Sequence, residues 1–218
     1  MSSKEAILGR IRSALKDVPQ VSPSEDVAVD WQYGLRPEGA ADDMIGLFVE
    51  RVEDYKAVVE TVAADDLAAG IVAVLTAAGI DSVVIPGGAA EQWHQAVADT
   101  GIAVVTDDPV LSHQQLDGTG AVVTGSRVGI AETGTIVLDH AADQGRRALS
   151  LVPDLHVCVI RADQVVSDVP EAVQRLQASI DARQPLTWIS GPSATSDIEL
   201  NRVEGVHGPR TLHVLLVR

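Results

Sequence analysis

The sequence predicts an α/β fold: a parallel-rich sheet flanked by helices, with an N-terminal helical arm. Three observations predict it. From residue 56 onward, short continuous apolar runs alternate with helix-spaced stretches, the pattern of strands buried on both faces beneath helices. Gly or Pro closes several of these segments, as at Gly79 and at Pro86-Gly87-Gly88. Of the 218 residues 46% are hydrophobic and 22% charged, enough apolar surface for a packed core.

The elements follow in order. Ser2 stands three residues before Glu5, a capping box, and Ile7, Leu8, Ile11 and Leu15 form the apolar stripe of a first helix. Pro19 and Pro23 end it. Residues 18–41 hold scattered acids, prolines and the pair Trp31 and Tyr33, which reads as an extended linker whose aromatics dock on the domain or on a partner. Helical spacing returns with Met44, Leu47, Phe48 and Val52. The expected organisation is a helix-and-linker arm over 1–45 and an α/β domain over 46–218. Within the domain, residues 56–62 read as a first strand, and Asp65 and Asp66 cap a helix through Leu67, Ile71, Val74 and Leu75. Residues 82–85 form a strand whose following loop, Pro86-Gly87-Gly88, is a candidate ligand rim, because parallel strands meet ligands at their carboxyl ends. A helix to about Ala98 and a strand over 102–106 come next. Beyond residue 120 the runs 121–124, 128–131 and 135–138 are short and separated by Gly-containing turns. A short helix after Arg146-Arg147 leads to the strand 155–160, and Asp168 opens a helix through Val173, Leu176 and Ile180. The strands 186–190 and 211–217 close the chain.

Charge excludes some partners. The 31 acids and 16 bases leave a net charge of −15, which repels phosphodiester backbones and anionic lipid heads. Nucleic acid is not an expected partner, no run approaches the roughly 20 apolar residues of a membrane span, and a cytoplasmic protein is expected. Cys158 is the single cysteine and sits in an apolar run. One thiol cannot supply the ligands of an iron–sulfur cluster, and the dispersed His residues offer no standard metal spacing, so no cluster and no metal are expected in this chain.

Three segments look unlike scaffold. In 129–135, Glu132 lies among small residues between two apolar runs, where it is either a nucleophile or general base, or a hairpin residue capping its own backbone; Thr133, Gly134 and Thr135 flank it. In 144–147, Gly145 precedes Arg146 and Arg147. Guanidinium groups present a planar fork to carboxylate or phosphate, so one of this pair is expected to hold an anion while the other pairs with Asp143 or Asp154. In 190–199, Ser190, Gly191, Ser193, Thr195, Asp197 and Glu199 form a polar loop fit for an anion, or else a Ser/Thr-rich turn with Asp197 as a helix cap. His207 follows between glycine-rich neighbours, where it either bonds its own backbone or joins the ligand site. The three segments are expected to converge on one cleft at the carboxyl mouth of the sheet.

In this order and spacing, the stretches Ile130-Ala131-Glu132-Thr133-Gly134-Thr135, Gly145-Arg146-Arg147 with Leu151-Val152-Pro153, and Ser190-Gly191-Pro192-Ser193 with Asp197-Ile198-Glu199 and Gly205-Val206-His207-Gly208-Pro209 resemble the LUD-domain family, in its lactate utilization protein C (LutC/YkgG) branch. The resemblance implies a fold like that of the NagB/RpiA/CoA-transferase group. It also implies a part in oxidising L-lactate to pyruvate, as the non-cluster member of three co-encoded proteins whose other two carry iron–sulfur clusters. It supplies no catalytic residue. An alternative function is a stand-alone small-anion or acyl-CoA-binding enzyme, because Ala131-Glu132-Thr133-Gly134 is similar to the Glu-x-Gly segment carrying the nucleophilic Glu of acyl-CoA transferases; the glycine-rich segments that surround it in those enzymes are not evident here.

Overall fold

A computed structural model describes residues 3–18, 43–192 and 208–218, together with the backbone at 194–195 and 203–204. The expected Ser2 cap and the linker bearing Trp31 and Tyr33 lie outside the described residues. Helix α1 (Ser3–Ala14) has Glu5 in its first turn and Arg12 in its last, each charge matched to the helix dipole.

Helix α2 (Met44–Asp54) starts at Asp43, whose carboxylate accepts the Gly46 amide at 2.8 Å, and buries Phe48 and Val52. Then come β1 (Val58–Val62), α3 (Leu67–Ala77), β2 (Ser82–Val84), α4 (Glu91–Ala98), β3 (Ala103–Val105), α5 (His113–Asp117) and β4 (Ala121–Thr124). They are followed by β5 (Val128–Ile130), β6 (Thr135–Leu138), β7 (Leu155–Arg161), β8 (Val165–Val166), α6 (Val169–Asp181), β9 (Thr187–Ile189), β10 (Ala194–Thr195), β11 (Val203–Glu204) and β12 (Thr211–Val217). Asp168 caps α6 as expected, accepting the Glu171 amide at 2.9 Å.

Six strands form one sheet in the order β1-β12-β7-β4-β2-β3, and every pairing in it is parallel. The expected parallel-rich sheet is therefore present. The short runs after residue 120 build something further. Strands β5 and β6 form an antiparallel hairpin at the centre of a second sheet, β8-β5-β6-β9.

The layers explain the burial. On one face of the large sheet, Val157, Val159 and Leu215 pack on Ile71 and Leu75 of α3 and Val97 of α4. On the other face, Cys158, Ile160, Val214 and Leu216 meet Phe48 and Val52 of α2 and Ile136 and Leu138 of the second sheet. The second sheet's far side, Val128, Ile130 and Val137, is covered by Ala172 and Leu176 of α6. Strands with both faces covered are apolar at successive positions, which is why 155–160 shows no alternation.

Two expectations change. The helix expected after Arg146-Arg147 is a set of turns, with Leu149 N donating to Arg146 O and Val152 N to Ala148 O, before Pro153 and the start of β7 stop it. Helix α5 went unpredicted although its capping box, Ser112 with Gln115, is complete; at five residues it is too short for an apolar stripe to show. No helix among the described residues is long and apolar enough to cross a membrane.

Candidate functional site

Arg147, Ser190 and Gly191 come together around a cavity of about 300 Å³, joined by Ser150, His156 and Trp188. His156 and Leu212, which also line it, stand near the starts of β7 and β12. The cavity therefore lies at the amino ends of the central strands, beside the β9 edge of the second sheet, and not at the carboxyl mouth where the sequence placed it.

The two arginines divide their work. Arg146 Nε and Nη2 donate to the Asp107 carboxylate at 2.6 and 3.1 Å, and Nη2 also donates to Leu111 O at 2.7 Å. Burial would raise the Asp107 carboxyl, but the bond from Arg146, the Leu111 amide and the Arg146 charge together hold it below its usual value. Arg146 is thus a tie between the 107–111 loop and the 146–152 turns, and it does not line the cavity. Its partner is neither of the expected acids: Asp154 faces Arg210 at 3.5 Å instead. Arg147 is exposed, and its guanidinium has no carboxylate or hydrogen-bond partner among the described residues.

The loop carrying Gly145-Arg146-Arg147 is held from behind by Gln144 and by His140, the second of which the sequence did not single out. Gln144 Oε1 accepts the amides of Asp139 and His140 at 2.8 and 3.0 Å. A carbonyl can only accept, so His140 Nδ1 donates to Gly145 O, at 2.9 Å, while Nε2 lies 2.8 Å from the Thr187 hydroxyl on β9. His140 therefore links the arginine loop to the opposite wall of the cavity.

Glu132 sits in the β5–β6 turn, and its amide donates to Ser167 O at 3.0 Å. Its carboxylate is exposed, has no partner among the described residues and does not line the cavity. Among the described residues, this exposed carboxylate is not enclosed by the apolar walls that the general-base reading required. The turn is nonetheless connected to the cavity by hydroxyls: Thr133 Oγ1 donates to Thr135 Oγ1 at 2.8 Å, and Thr135 Oγ1 lies 2.8 Å from Ser190 Oγ. Both motif turns rest against the end of α2. Gly134, at φ +59°, would place a Cβ 2.6 Å from the Arg51 carbonyl, and Gly191, at φ +83°, would place one 2.5 Å from Tyr55 Cβ.

His156 is the residue the sequence reading missed. Its only signal was a polar side chain inside the apolar run 155–160. It is buried, its Nε2 lies 2.8 Å from Thr124 Oγ1, and burial pushes its pKa down to about 4. A neutral imidazole at a cavity wall can exchange a hydrogen bond with a ligand hydroxyl or carbonyl. Cys158, two residues on, is pushed up to about 12 by burial and behaves as a core thiol. Among the described residues no three His, Cys, Asp or Glu side chains gather around a point that could hold a metal ion. Ser193, Asp197, Glu199 and His207 lie outside the described residues, and Thr195 is described as backbone only, paired in β10 with Val203 of β11.

Comparison with known proteins adds to this geometry. The LUD domain model matches residues 45–217. A Deinococcus radiodurans protein named lactate utilization protein C is 50% identical over 175 residues, 80% of each chain. Lactate utilization protein C of Geobacillus thermodenitrificans is 26% identical over the whole of this chain and 97% of its own. Among solved structures, a DUF162 family protein from Deinococcus radiodurans superposes with a TM-score of 0.69 at 42% identity, covering 81% of this chain and 97% of that one.

Proposed function

The chain belongs to the LUD-domain family, and on that premise we propose that it serves lactate utilization as the non-cluster component of a three-protein system oxidising L-lactate to pyruvate. The observation that carries this reading is the likeness, across four fifths of the chain, to a protein named for lactate utilization. The partners in this reading are two co-encoded iron–sulfur proteins in the cytoplasm. The cavity suits a small 2-hydroxy or 2-oxo acid. Arg147 takes the carboxylate, the Ser190 hydroxyl gives a second donor, and the neutral His156 imidazole stands ready for the hydroxyl or keto group. An anion approaching a chain of net charge −15 is repelled at long range, so a cation without a carboxylate partner supplies the local attraction.

The test is reconstitution. The purified chain is mixed with its two iron–sulfur partners and lactate oxidation is followed, with wild type and Arg147→Ala compared in parallel with calorimetric titrations of lactate and pyruvate. Losing one charge-assisted pair weakens binding about ten- to a hundredfold. Activity independent of this chain, or acid binding unchanged in Arg147→Ala, would refute the assignment.

A second reading has one observation in its favour: the Glu132 carboxylate is exposed, unpaired among the described residues and joined through hydroxyls to Ser190. In that reading the chain is a stand-alone small-anion or acyl-CoA-binding enzyme with Glu132 as nucleophile. Glu132→Gln separates the two. Under the leading reading partner-dependent activity survives the substitution; under the second, activity of the isolated chain collapses while ligand binding persists.

A further inference from the structure

A second place in the molecule gathers cations. At the carboxyl end of β7 the chain carries Arg161; the crossover from β4 to β5 carries Arg127; and α6 carries Arg175. The three arginines line one cavity of about 270 Å³ together with Gln164 and a single acid, Asp163. A cavity of about 420 Å³ adjoins it, sharing Arg161 and Gln164 and reaching Trp93, Ser126 and Asp143. The pair of cavities sits where the central parallel strands end, at the opposite end of β7 from the Arg147 cavity.

The cations here are incompletely engaged. Arg161 Nε donates to Asp163 Oδ1 at 3.1 Å. Arg175 Nη1 donates to the Asp163 carbonyl at 2.7 Å, and its Nη2 lies 3.5 Å from Glu171. Arg127 Nε stands 3.5 Å from Asp139, whose Oδ2 already accepts the Ser179 hydroxyl at 2.8 Å. A guanidinium has five N–H donors, so each of the three retains free donors. The backbones that present two of them are clamped by one side chain. Gln164 Oε1 accepts the Arg161 amide at 2.8 Å, and its Nε2 donates to Ser126 O at 2.7 Å, the residue before Arg127. In a chain of net charge −15, three forks converging from three elements on one cavity call for a dense anion. A carboxylate offers two oxygens in one plane, whereas a phosphate monoester offers three around a tetrahedron, which matches three separate forks.

We propose that these adjoining cavities are a second ligand site for a small phosphate monoester, its phosphate held by Arg127, Arg161 and Arg175 and its organic body lying in the larger cavity against Trp93 and Asp143. The half-buried Asp143 carboxyl, raised mainly by burial, is an acceptor or donor for a hydroxyl of that body.

Calorimetric titration of the full chain with glycerol 3-phosphate, inorganic phosphate and glycerol tests this. The expected result is saturable, salt-sensitive binding of glycerol 3-phosphate, weaker binding of phosphate and none of glycerol. Arg161→Ala and Arg175→Ala should each weaken it about tenfold or more. Arg51→Ala, a control as exposed as Arg175 and paired on α2, should not change it. Circular dichroism melts confirm that the variants are folded, which their exposed side chains favour. Absence of saturable binding of either phosphate, or binding indifferent to both cavity substitutions, overturns the proposal.

Discussion

Replacing Arg146 and Arg147 one at a time by alanine should produce opposite phenotypes. The Arg146 side chain is 33% exposed and makes three hydrogen bonds, two of them to a carboxylate only 15% exposed. Hydrogen bonds to charged groups contribute roughly 1.5–3 kcal/mol each when well buried. Partial solvation compensates part of that here, and truncation leaves the Asp107 charge and the Leu111 carbonyl without a partner, so the net loss should be about 2–3 kcal/mol. For a chain of this size that is a fall in Tm of roughly 4–12 °C. Asp107→Asn should give a similar loss, and the double variant should lose less than the two added together, by about 1 kcal/mol or more. Arg147→Ala, exposed and unpaired among the described residues, should change stability by less than about 0.5 kcal/mol while weakening acid binding about ten- to a hundredfold. Thermal melts near neutral pH and calorimetry on the same preparations check both. Because the folded Asp107 carboxyl lies below 3.8, the stabilisation is fully present above that pH and is lost only as pH falls below it. An Arg146→Ala protein that melts with wild type, or an Arg147→Ala protein that melts lower while still binding the acid, would refute this division of labour.

Further expectations follow from buried groups and tight turns. His156 stays neutral in the fold to about pH 4 but titrates near 6.5 when unfolded, so stability should be full above about pH 6.5 and decline from there to pH 4, by on the order of 3 kcal/mol. Urea titrations at several pH values should show that slope, and a folded His156→Gln variant should lose most of it, keeping the smaller part from His213, which burial also pushes down. Cys158 should resist alkylation in the native protein and react promptly in denaturant; mass spectrometry of iodoacetamide-treated samples decides this. Gly134→Ala combines a left-handed backbone with a Cβ 2.6 Å from Arg51 backbone, and should destabilise by roughly 2 kcal/mol or more in denaturant melts.

Long, doubly buried or capped elements were legible from the sequence: β4, β6 and β12 match the expected runs residue for residue, and Asp168 caps α6 as read. What sequence spacing could not carry was which strands share a sheet. Runs 128–131 and 135–138 look like any others, yet they leave the large sheet and pair with each other, because the three-residue crossover at Gly125–Arg127 carries the chain away from β7. The same limit applies to the site. Arg146 and Arg147 are indistinguishable as neighbours, and the partner that separates them, Asp107, lies 39 residues earlier. His140 and His156 gave no motif, since their roles arise from contacts with Thr187 and Thr124 across 47 and 32 residues.

The same departure of β5 and β6 from the large sheet accounts for where the Arg147 cavity forms. An open parallel sheet ordinarily presents ligands with the loops at its carboxyl ends, while its amino ends have little above them. Here the second sheet lies over one face, and its edge strand β9 supplies Thr187, Trp188 and Ile189 as a wall beside the starts of β7 and β12. That wall turns an otherwise bare amino edge into a cavity, and Thr135–Ser190 and His140–Thr187 tie it to the turns that carry Glu132 and Arg147. The carboxyl edge is left free for the arginines 127, 161 and 175. His156 and Arg161 are five residues apart on one strand, about 17 Å at roughly 3.3 Å per residue. That exceeds the screening length of about 8 Å at physiological ionic strength, so charge bound at one end of β7 does little to the field at the other. A carboxylic acid and a phosphate ester can therefore be held at the two ends of one strand without competing for the same few cations of an acidic chain.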